Sequence, residues 1–409
     1  MTALWRNRDF TALWAGQMVS ALGASITSTA TPLLVLATTG SAKDAGLVGA
    51  AGTLPFLIGN LPAGALVDRW NRHRILLVSE LLAALSIITV PLAIWSGRLT
   101  VAQLCVVAFV QGMCFAFFDL AERAALPRVV EPEQLATAIA NNEARSRGAT
   151  LAGPPIGGAL FAAGRAWPFL VDAVTYLLAA IALLWVRRDL NSENPPREPV
   201  LRSAMEGLRW VWRHPLIRTG ILLVAASNLT FRALVLVLVV LAGKQGASPA
   251  TIGVMLGIYS TGGLLGAIAA GRLHKHFQPR TVIIGVNWVW AALLPLFAFA
   301  VVPWQLGLIG AVTAFVGPLW NVVIGAYAVT LVPNELLGRV NSAGMALTWG
   351  VMPIGSLAAG YLLDGAGPTG AIWALSAFML LTAVAGTVSR AVRKAPPLVS
   401  SHTPEGAER

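Results

Sequence analysis

Long apolar stretches constrain the fold of this chain more than any other feature of its sequence. A transmembrane helix needs roughly 20 mainly apolar residues to cross a hydrocarbon core about 30 Å thick. The sequence contains twelve such stretches, and we predict that each is a membrane span. Their approximate positions are 10–37, 46–67, 75–96, 100–121, 136–163, 167–187, 217–242, 250–271, 281–302, 305–331, 340–363 and 369–390. The first stretch exceeds a signal-peptide core of about 7–15 residues, so we expect it to be retained.

The overall composition favours lipid as the solvent of these stretches. Of the 409 residues, 56% are hydrophobic and 11% are charged, whereas soluble domains carry about 25% charged residues. A water-soluble body with this composition would expose large apolar patches. We therefore predict an all-α membrane protein that contacts the lipid bilayer. The two cysteines, Cys105 and Cys114, lie in one apolar stretch, and we expect no disulfide framework, metal site or cofactor.

The basic residues predict how the chain lies in the membrane. If the N-terminus is cytoplasmic, twenty-four of the 29 lysines and arginines fall in cytoplasmic segments and four fall in outer loops. The remaining one, Arg232, lies inside the seventh span. This asymmetry predicts a multi-pass protein of the cytoplasmic (inner) membrane with both termini inside and an even number of spans. Because the basic residues occupy short gaps between apolar stretches, we expect no nucleic-acid partner despite the net charge of +11.

A proline-rich, charged segment divides the chain into two sets of six spans. We predict an N-terminal bundle (1–187), a cytoplasmic linker (188–216), a C-terminal bundle (217–393) and a disordered tail (394–409). The linker contains an amphipathic stretch that either lies at the membrane surface or packs under the bundle. Its apolar face carries Leu201, Met205, Leu208 and Trp212. Weak repetition relates the halves, which predicts two parallel six-helix repeats with a substrate site near the midplane at their junction.

Two motifs connect this sequence with a known family. The segment after the second span, Gly-Ala-Leu-Val-Asp-Arg-Trp-Asn-Arg-His-Arg at 64–74, resembles the loop signature of the major facilitator superfamily. The resemblance implies twelve transmembrane helices in two six-helix bundles, the major facilitator fold. It also implies a conformational latch in which Asp68 lies near the start of span 11, where Arg339 is a natural partner. The predicted latch residues are Gly64, Asp68, Arg69, Arg72, Arg74 and Arg339.

The second motif lies in the fifth span. The run 148–158 is similar to the glycine-proline motif of the exporters in this superfamily, and its predicted core is Gly153, Pro154, Pro155, Gly157 and Gly158. Glycines four residues apart would allow close helix packing, and the prolines remove backbone hydrogen bonds. The segments 4–10, 207–215 and 337–341 resemble the subgroup that includes the enterobactin exporter and macrolide efflux proteins.

The sequence departs from this superfamily at one position. Many of its proton-coupled drug exporters carry an arginine three residues before a Gln-Gly pair in the fourth span. Here the pair is Gln111-Gly112, and Ala108 occupies the arginine position. Proton coupling through that arginine is therefore excluded.

Charged residues within the membrane are expensive, so they are candidates for function. Arg232 either binds an anionic group of the substrate or pairs with a buried acid. The candidates for proton coupling are Asp172, Glu122 and Glu143, although the last two could instead belong to an ion-pair network with Arg145 and Arg147 near the interface. The candidates for the substrate site or cavity are Arg232, Asn228, Gln17, Trp320 and Trp349. For the two tryptophans, helix packing is the alternative interpretation.

These features predict a secondary active transporter, acting as a monomer, that exports small molecules by alternating access and is driven by protons. No nucleotide-binding Gly-x-x-x-x-Gly-Lys-Ser/Thr loop occurs in the sequence, which excludes a built-in ATP motor of that type. The alternatives are an importer of the same fold and a receptor or scaffold without transport activity. A membrane enzyme is disfavoured, because all five histidines lie in predicted cytoplasmic segments.

Overall fold

The computed structural model describes residues 4–59, 66–67, 69–191, 200–273, 277–333 and 335–396, which form helices joined by short loops. Span 3 is Arg72–Ile87 continued by Thr89–Trp95, span 9 is Pro279–Leu293 continued by the 3-10 helix Leu294–Phe299, and span 10 is Pro303–Phe315 continued by Gly317–Leu331. Span 11 starts as Leu337–Trp349. The helix Met352–Val388 completes span 11 and contains span 12. The other spans are Arg8–Thr39 (1), Ala42–Ile58 (2), Val101–Val129 (4), Leu135–Ala163 (5), Trp167–Leu183 (6), Pro215–Lys244 (7) and Pro249–Leu273 (8).

The structure has a helix at each of the twelve predicted spans. By length and composition alone, eight described helices are long and apolar enough to cross a membrane, and one of these contains spans 11 and 12. The two spans are separated at Gly367, whose φ of +68° is accessible to glycine and interrupts the helix. Three further spans fall outside that set: spans 2 and 6 have 17 residues each, and span 5 carries charged residues.

The helix ends follow from local sequence signals. The Asn7 side chain caps span 1 by accepting hydrogen bonds from the backbone N–H groups of Asp9 and Phe10 at 3.1 and 3.2 Å. Span 1 ends at Gly40, which adopts the left-handed conformation with φ +68°. The Ser41 hydroxyl then accepts a hydrogen bond from the Asp44 N–H and starts span 2. These caps place a tight turn between spans 1 and 2.

The ends of the spans form two opposite faces, which we call the terminal face and the opposite face. The terminal face contains the start of span 1 and the ends of spans 4 and 6. There the Asp9 carboxylate accepts a hydrogen bond from the Arg187 N–H at 2.9 Å, and Leu190 is buried. Span 6 was predicted to reach residue 187 but ends at Leu183, because the following segment turns and packs along this face. On the opposite face the Lys43 ammonium lies 4.9 Å from the ring centre of Tyr361.

The two halves meet along two pairs of spans. Span 5 packs against span 8, and span 2 packs against span 11. Glycines permit the close approach: a Cβ added to Gly158 would lie 2.9 Å from the Cα of Gly253, and one added to Gly46 would lie 2.9 Å from the Cα of Gly360. All four glycines lie in the part of their span nearer the opposite face. We call these contacts the seam.

The linker helix, Val200–Arg213, packs against the start of span 11. Gly207 lies directly on the backbone of Arg339, and Val211 is completely buried. Of the predicted apolar face, Leu208 is partly buried, whereas Met205 and Trp212 are about half exposed. The helix therefore packs on the bundle through one face and leaves Met205 and Trp212 exposed on another. The predicted linker residues 192–199 and tail residues 397–409 lie outside the described residues.

Candidate functional site

Two cavities lie one above the other in the first half of the protein. The terminal cavity has a volume of about 740 Å³, and its described lining comes from spans 1, 3, 4, 5 and 6. The opposite cavity has a volume of about 280 Å³ and is lined by the parts of spans 1, 2, 3, 4 and 6 that lie nearer the opposite face. It reaches the second half at Arg232, Val235, Leu236 and Ser356. Both volumes suit small organic molecules or water.

A thin wall separates the two cavities. The residues that line both of them are Ala24, Ser28, Gln111, Phe115 and Tyr176. The Tyr176 hydroxyl donates to the Gln111 side-chain oxygen at 2.9 Å. The Gln111 amide nitrogen in turn donates to the carbonyl of Ala83 and the hydroxyl of Ser86, at 2.9 and 3.2 Å. The wall is thus a polar connection between spans 3, 4 and 6.

Glu80 is a buried acid in the terminal cavity, and it was missed from the sequence. Its carboxylate accepts a hydrogen bond from the Gln17 amide at 2.8 Å and from the Ser20 hydroxyl at 3.2 Å. The residue is 3% exposed and has no ion-pair partner among the described residues. Gln17, predicted to line a cavity, lies in the terminal cavity and positions this acid. The signal was available, since a charge within the third apolar stretch meets the criterion that selected Arg232.

Asp172 lies in the opposite cavity, near the start of span 6. The side chain is 1% exposed, and its Oδ1 accepts a hydrogen bond from the Thr175 hydroxyl at 3.3 Å. Its Oδ2 has no hydrogen-bond partner among the described residues. Gly23 of span 1 lies against Asp172 and Thr175, because a Cβ added to Gly23 would lie 2.5 Å from the Asp172 Oδ1. Asp172 therefore remains a candidate for proton coupling.

Arg232 crosses from the second half to the first. Its Nε donates to the Ser356 hydroxyl at 2.9 Å, and its Nη2 donates to the carbonyl of Gly49 in span 2 at 3.3 Å. No carboxylate forms an ion pair with it in the part of the chain that the structure describes. Of the two predicted roles, pairing with a buried acid is absent from this conformation. The positive charge instead lines the opposite cavity.

The predicted ion pairs are present. They include two of the candidates for proton coupling, Glu122 and Glu143, which therefore differ from Glu80 and Asp172 in having a positively charged partner. Arg145 donates to both carboxylate oxygens of Glu122, at 2.8 and 3.0 Å, and both side chains are about nine-tenths buried. Glu143 instead pairs with Arg147 one turn along the same helix, where both side chains are well exposed. A neutralised acid and an exposed one are poorer proton sites than a buried acid with neutral partners.

Three residues predicted for the substrate site lie elsewhere. Trp320 is 2% exposed and packs against Trp290 in the core of the second half, away from both cavities. The Asn228 amide donates to the carbonyl of Thr348 at 2.8 Å and ties span 7 to span 11. Trp349 packs edge-on against Phe56, with ring centres 5.3 Å apart, and joins the two halves. These side chains serve packing in this conformation.

The glycine-proline motif of span 5 forms a close junction of three spans. Gly153 and Gly157 face span 1, where an added Cβ at Gly157 would lie 2.7 Å from the carbonyl oxygen of Ile26. Gly158 faces Gly253 of span 8, and Pro155 contacts Gly257 one turn further along that span. Pro154 contributes its carbonyl to the surface beside Gly253. The motif therefore lies on the seam between the halves.

The predicted latch is only partly described by the structure. Gly64 and Asp68 lie outside the described residues, so their prediction stands untested. Arg72 is buried and donates to the carbonyls of Ala124 and Leu190, both at 3.0 Å, which ties spans 3 and 4 to the segment after span 6. Arg69 and Arg74 are exposed at the terminal face. Arg339 forms an ion pair with Glu206 of the linker helix.

Comparisons with known proteins agree with this architecture. The sequence profile of a family described as transmembrane secretion effector matches residues 2–405. The multidrug efflux pump Tap of Mycolicibacterium fortuitum is 32% identical over 392 residues, covering 92% of this chain and 93% of Tap. The enterobactin exporter EntS of Escherichia coli O1:K1 is 24% identical, covering 83% and 82% of the two chains.

A solved structure shares the fold. A variant of the nucleoside transporter NupG aligns with a TM-score of 0.77 at 9% sequence identity, covering 93% of this chain and 100% of that one. At this identity the match supports the arrangement of the helices only. With the profile covering nearly the whole sequence, the chain belongs to the transmembrane secretion effector family of the major facilitator superfamily.

Proposed function

We propose that this protein is a secondary active transporter, and not an enzyme, that exports small organic molecules across the cytoplasmic membrane. It works as a monomer by alternating access, with the halves formed by residues 1–187 and 217–393 rocking about the substrate. The terminal face, including both termini, lies in the cytoplasm. The names of Tap and EntS, an efflux pump and an exporter, support this direction of transport.

The observation that carries the proposal is the pair of cavities separated by a thin polar wall. The terminal cavity is the larger, and the halves are closely packed at glycines nearer the opposite face. This is the arrangement expected of a transporter that is open, or nearly open, towards one side only. Rocking the halves apart at the seam would enlarge the opposite cavity and reverse the access.

We propose that the proton gradient drives efflux. Two acids buried in the spans, Glu80 and Asp172, have only neutral hydrogen-bond partners among the described residues, so a proton is the smallest ligand that would neutralise them. The arginine that many related drug exporters use before the Gln-Gly pair is absent, since Ala108 takes its place in the opposite cavity. Coupling here would therefore use different residues.

Arg232 is proposed to recognise the substrate. It carries the positive charge of the opposite cavity, and its bonds to a hydroxyl and a carbonyl leave that charge without a counterion in this conformation. An anionic or strongly polar oxygen group on the cargo would replace those neutral acceptors with a stronger, charge-assisted hydrogen bond.

Accumulation assays in cells test the proposed function. Cells that express the protein should accumulate less ethidium, less of a macrolide or less enterobactin than cells with an empty vector, and a protonophore should remove the difference. Equal accumulation of all three probes with and without the protein would contradict efflux of these classes. Higher accumulation in expressing cells would indicate an importer of the same fold.

A further inference from the structure

Two buried carboxyl groups in the first half belong to different cavities. Glu80 lies in the terminal cavity and Asp172 in the opposite cavity. We propose that Glu80 and Asp172 are the proton-binding residues of this transporter, one exchanging its proton with each side of the membrane. The inference rests on the proposed function, because it identifies where the driving proton is held.

The surroundings of Glu80 suit a group that alternates between charged and neutral forms. Gln17 and Ser20 of span 1 donate hydrogen bonds that orient the carboxyl group but bring no compensating charge. A carboxylate buried in a membrane without a cation is costly, and binding one proton removes that cost. The terminal cavity lies against the carboxyl group and supplies the water that accepts or donates the proton.

Apart from Asp172, the titratable groups near Glu80 are already engaged in ion pairs or are neutral. Glu122 of span 4 is a neighbouring acid, and both of its carboxylate oxygens accept hydrogen bonds from the buried Arg145 of span 5. Span 4 also presents Cys114, and span 6 presents Tyr176, both neutral at ordinary pH. The charged and titratable groups lining this cavity are Glu80, Cys114, Asp119, Glu122, Arg123, Glu143, Arg145 and Tyr176.

Asp172 has the corresponding position in the opposite cavity. One of its oxygens accepts from Thr175 on the same helix, and the other has no hydrogen-bond partner among the described residues. Span 1 faces it with Gly23 and Thr27, neither of which brings a charge. The titratable and charged groups lining that cavity are Asp172, Tyr176 and Arg232. Asp172 and Arg232 thus share a cavity but form no ion pair in this conformation.

The wall between the cavities separates the two acids. Tyr176 and Gln111 line both cavities and are joined by a hydrogen bond of 2.9 Å. In the proposed cycle, a proton from water in the opposite cavity binds the Asp172 carboxylate. When the halves rock, that proton passes to the Glu80 carboxylate, and it then leaves Glu80 for water in the terminal cavity, so both groups return to their starting charge. Only O–H bonds form and break. The Tyr176–Gln111 bond prevents direct passage until the halves rock.

Infrared difference spectroscopy tests proton binding without any substrate. Purified full-length protein in lipid nanodiscs is compared in acidic and alkaline buffer, and the carbonyl band of protonated carboxyl groups is followed. We expect Glu80→Gln and Asp172→Asn each to remove one component of this band. The matched control is Glu133→Gln, because Glu133 is an exposed acid between spans 4 and 5 and lies outside both cavities.

Transport measurements complete the test. In proteoliposomes with an imposed pH gradient, the wild type should transport ethidium faster than without the gradient. Glu80→Gln and Asp172→Asn should lose this acceleration, and Glu133→Gln should retain it. Gradient-driven transport that survives in Glu80→Gln, or an unchanged infrared band in both variants, overturns the inference. A wild type that ignores the gradient overturns proton drive instead, while the infrared result still decides whether the two acids bind protons.

Discussion

Among single residues, a buried charge that already has an oppositely charged partner is not available to bind a proton or a substrate, whereas a buried charge without such a partner is. Glu122 and Arg145 neutralise each other in the membrane, whereas Glu80, Asp172 and Arg232 have only neutral partners among the described residues. Breaking a buried ion pair leaves an uncompensated charge, so the pair contributes to the stability of the folded state. The unpaired groups are free to change partner, and the proposed proton coupling and substrate recognition both require such a change.

Removal of the Glu122 charge should therefore affect stability. Glu122→Gln leaves Arg145 buried without its counterion, and we expect a loss of about 3–5 kcal/mol, measured as a lower unfolding temperature of the purified protein in detergent. Glu143→Gln is the control, because an exposed pair one helical turn apart contributes only about 0.3–0.5 kcal/mol. Equal unfolding temperatures for the two variants would contradict the structural role of the pair.

The charge of Arg232 should affect substrate selection. Arg232→Gln keeps hydrogen-bond donors beside Ser356 and Gly49 but removes the cation. A hydrogen bond to a charged group contributes about 1.5–3 kcal/mol, so the KM for an anionic cargo should rise by roughly ten- to a hundredfold. The KM for a cationic probe such as ethidium should stay the same or fall. Uptake by inside-out vesicles measures both values, and a parallel rise for both probes would show that Arg232 maintains structure only.

Among the helices, glycine contacts determine how closely the two halves approach. The motif of span 5 and the glycines of span 8 lie against each other, as do Gly46 of span 2 and Gly360 of span 11. Without side chains between them, the helix backbones pack directly, and any added carbon must displace backbone. The two halves lie in direct backbone contact at the seam in this conformation, because the facing glycines carry no side chains.

A methyl group at the seam should shift the protein towards the other conformation. Gly158→Ala places a Cβ 2.9 Å from the Cα of Gly253, which pushes the halves apart nearer the opposite face. The terminal cavity should then close more often, so Cys114 within it should react more slowly with a thiol reagent in a Cys105→Ser background. Gly148→Ala in the same span is the control, because its nearest neighbour is a flexible methionine at 4.0 Å. Faster labelling of Gly158→Ala would contradict this role of the seam.

Over the whole molecule, the asymmetry of basic residues predicts the orientation, and the cavities give it a functional meaning. The terminal face carries most of the lysines and arginines, and the larger cavity lies nearer that face. If that face is cytoplasmic, cargo enters from the cell interior or the inner leaflet. With the same orientation, Asp172 lies towards the side from which the proposed coupling would draw protons.

Reporter fusions test this orientation. Green fluorescent protein joined to the C-terminus should fluoresce, because it folds in the cytoplasm, and alkaline phosphatase at the same site should be inactive. The control is a chain truncated after Gly246, in the loop between spans 7 and 8, where the two reporters should give the reverse result. Active phosphatase at the C-terminus would place the terminal face outside and reverse the proposed direction of transport.

The sequence by itself determined the twelve spans, their division into two sets of six and the motif at the seam. Hydrophobicity over 20 residues and the distribution of arginines are local properties that need no knowledge of neighbours. It also indicated Arg232 and Asp172, because charges in apolar stretches are conspicuous. By the same criterion Glu80 is recognisable in the sequence, because it is the one charged residue in the stretch 75–96.

Only the tertiary structure decided which side chains meet. Lipid and protein core are both apolar, so the pattern of a span does not reveal which of its faces points inward. For this reason the sequence left Trp320 open between a cavity and helix packing, and only the structure places it in the core of the second half. Likewise, the sequence did not distinguish the buried Glu122 from the exposed Glu143. The contact of Gln17 with Glu80, 63 residues away, depends on how spans 1 and 3 rotate against each other, and packing alone sets that rotation.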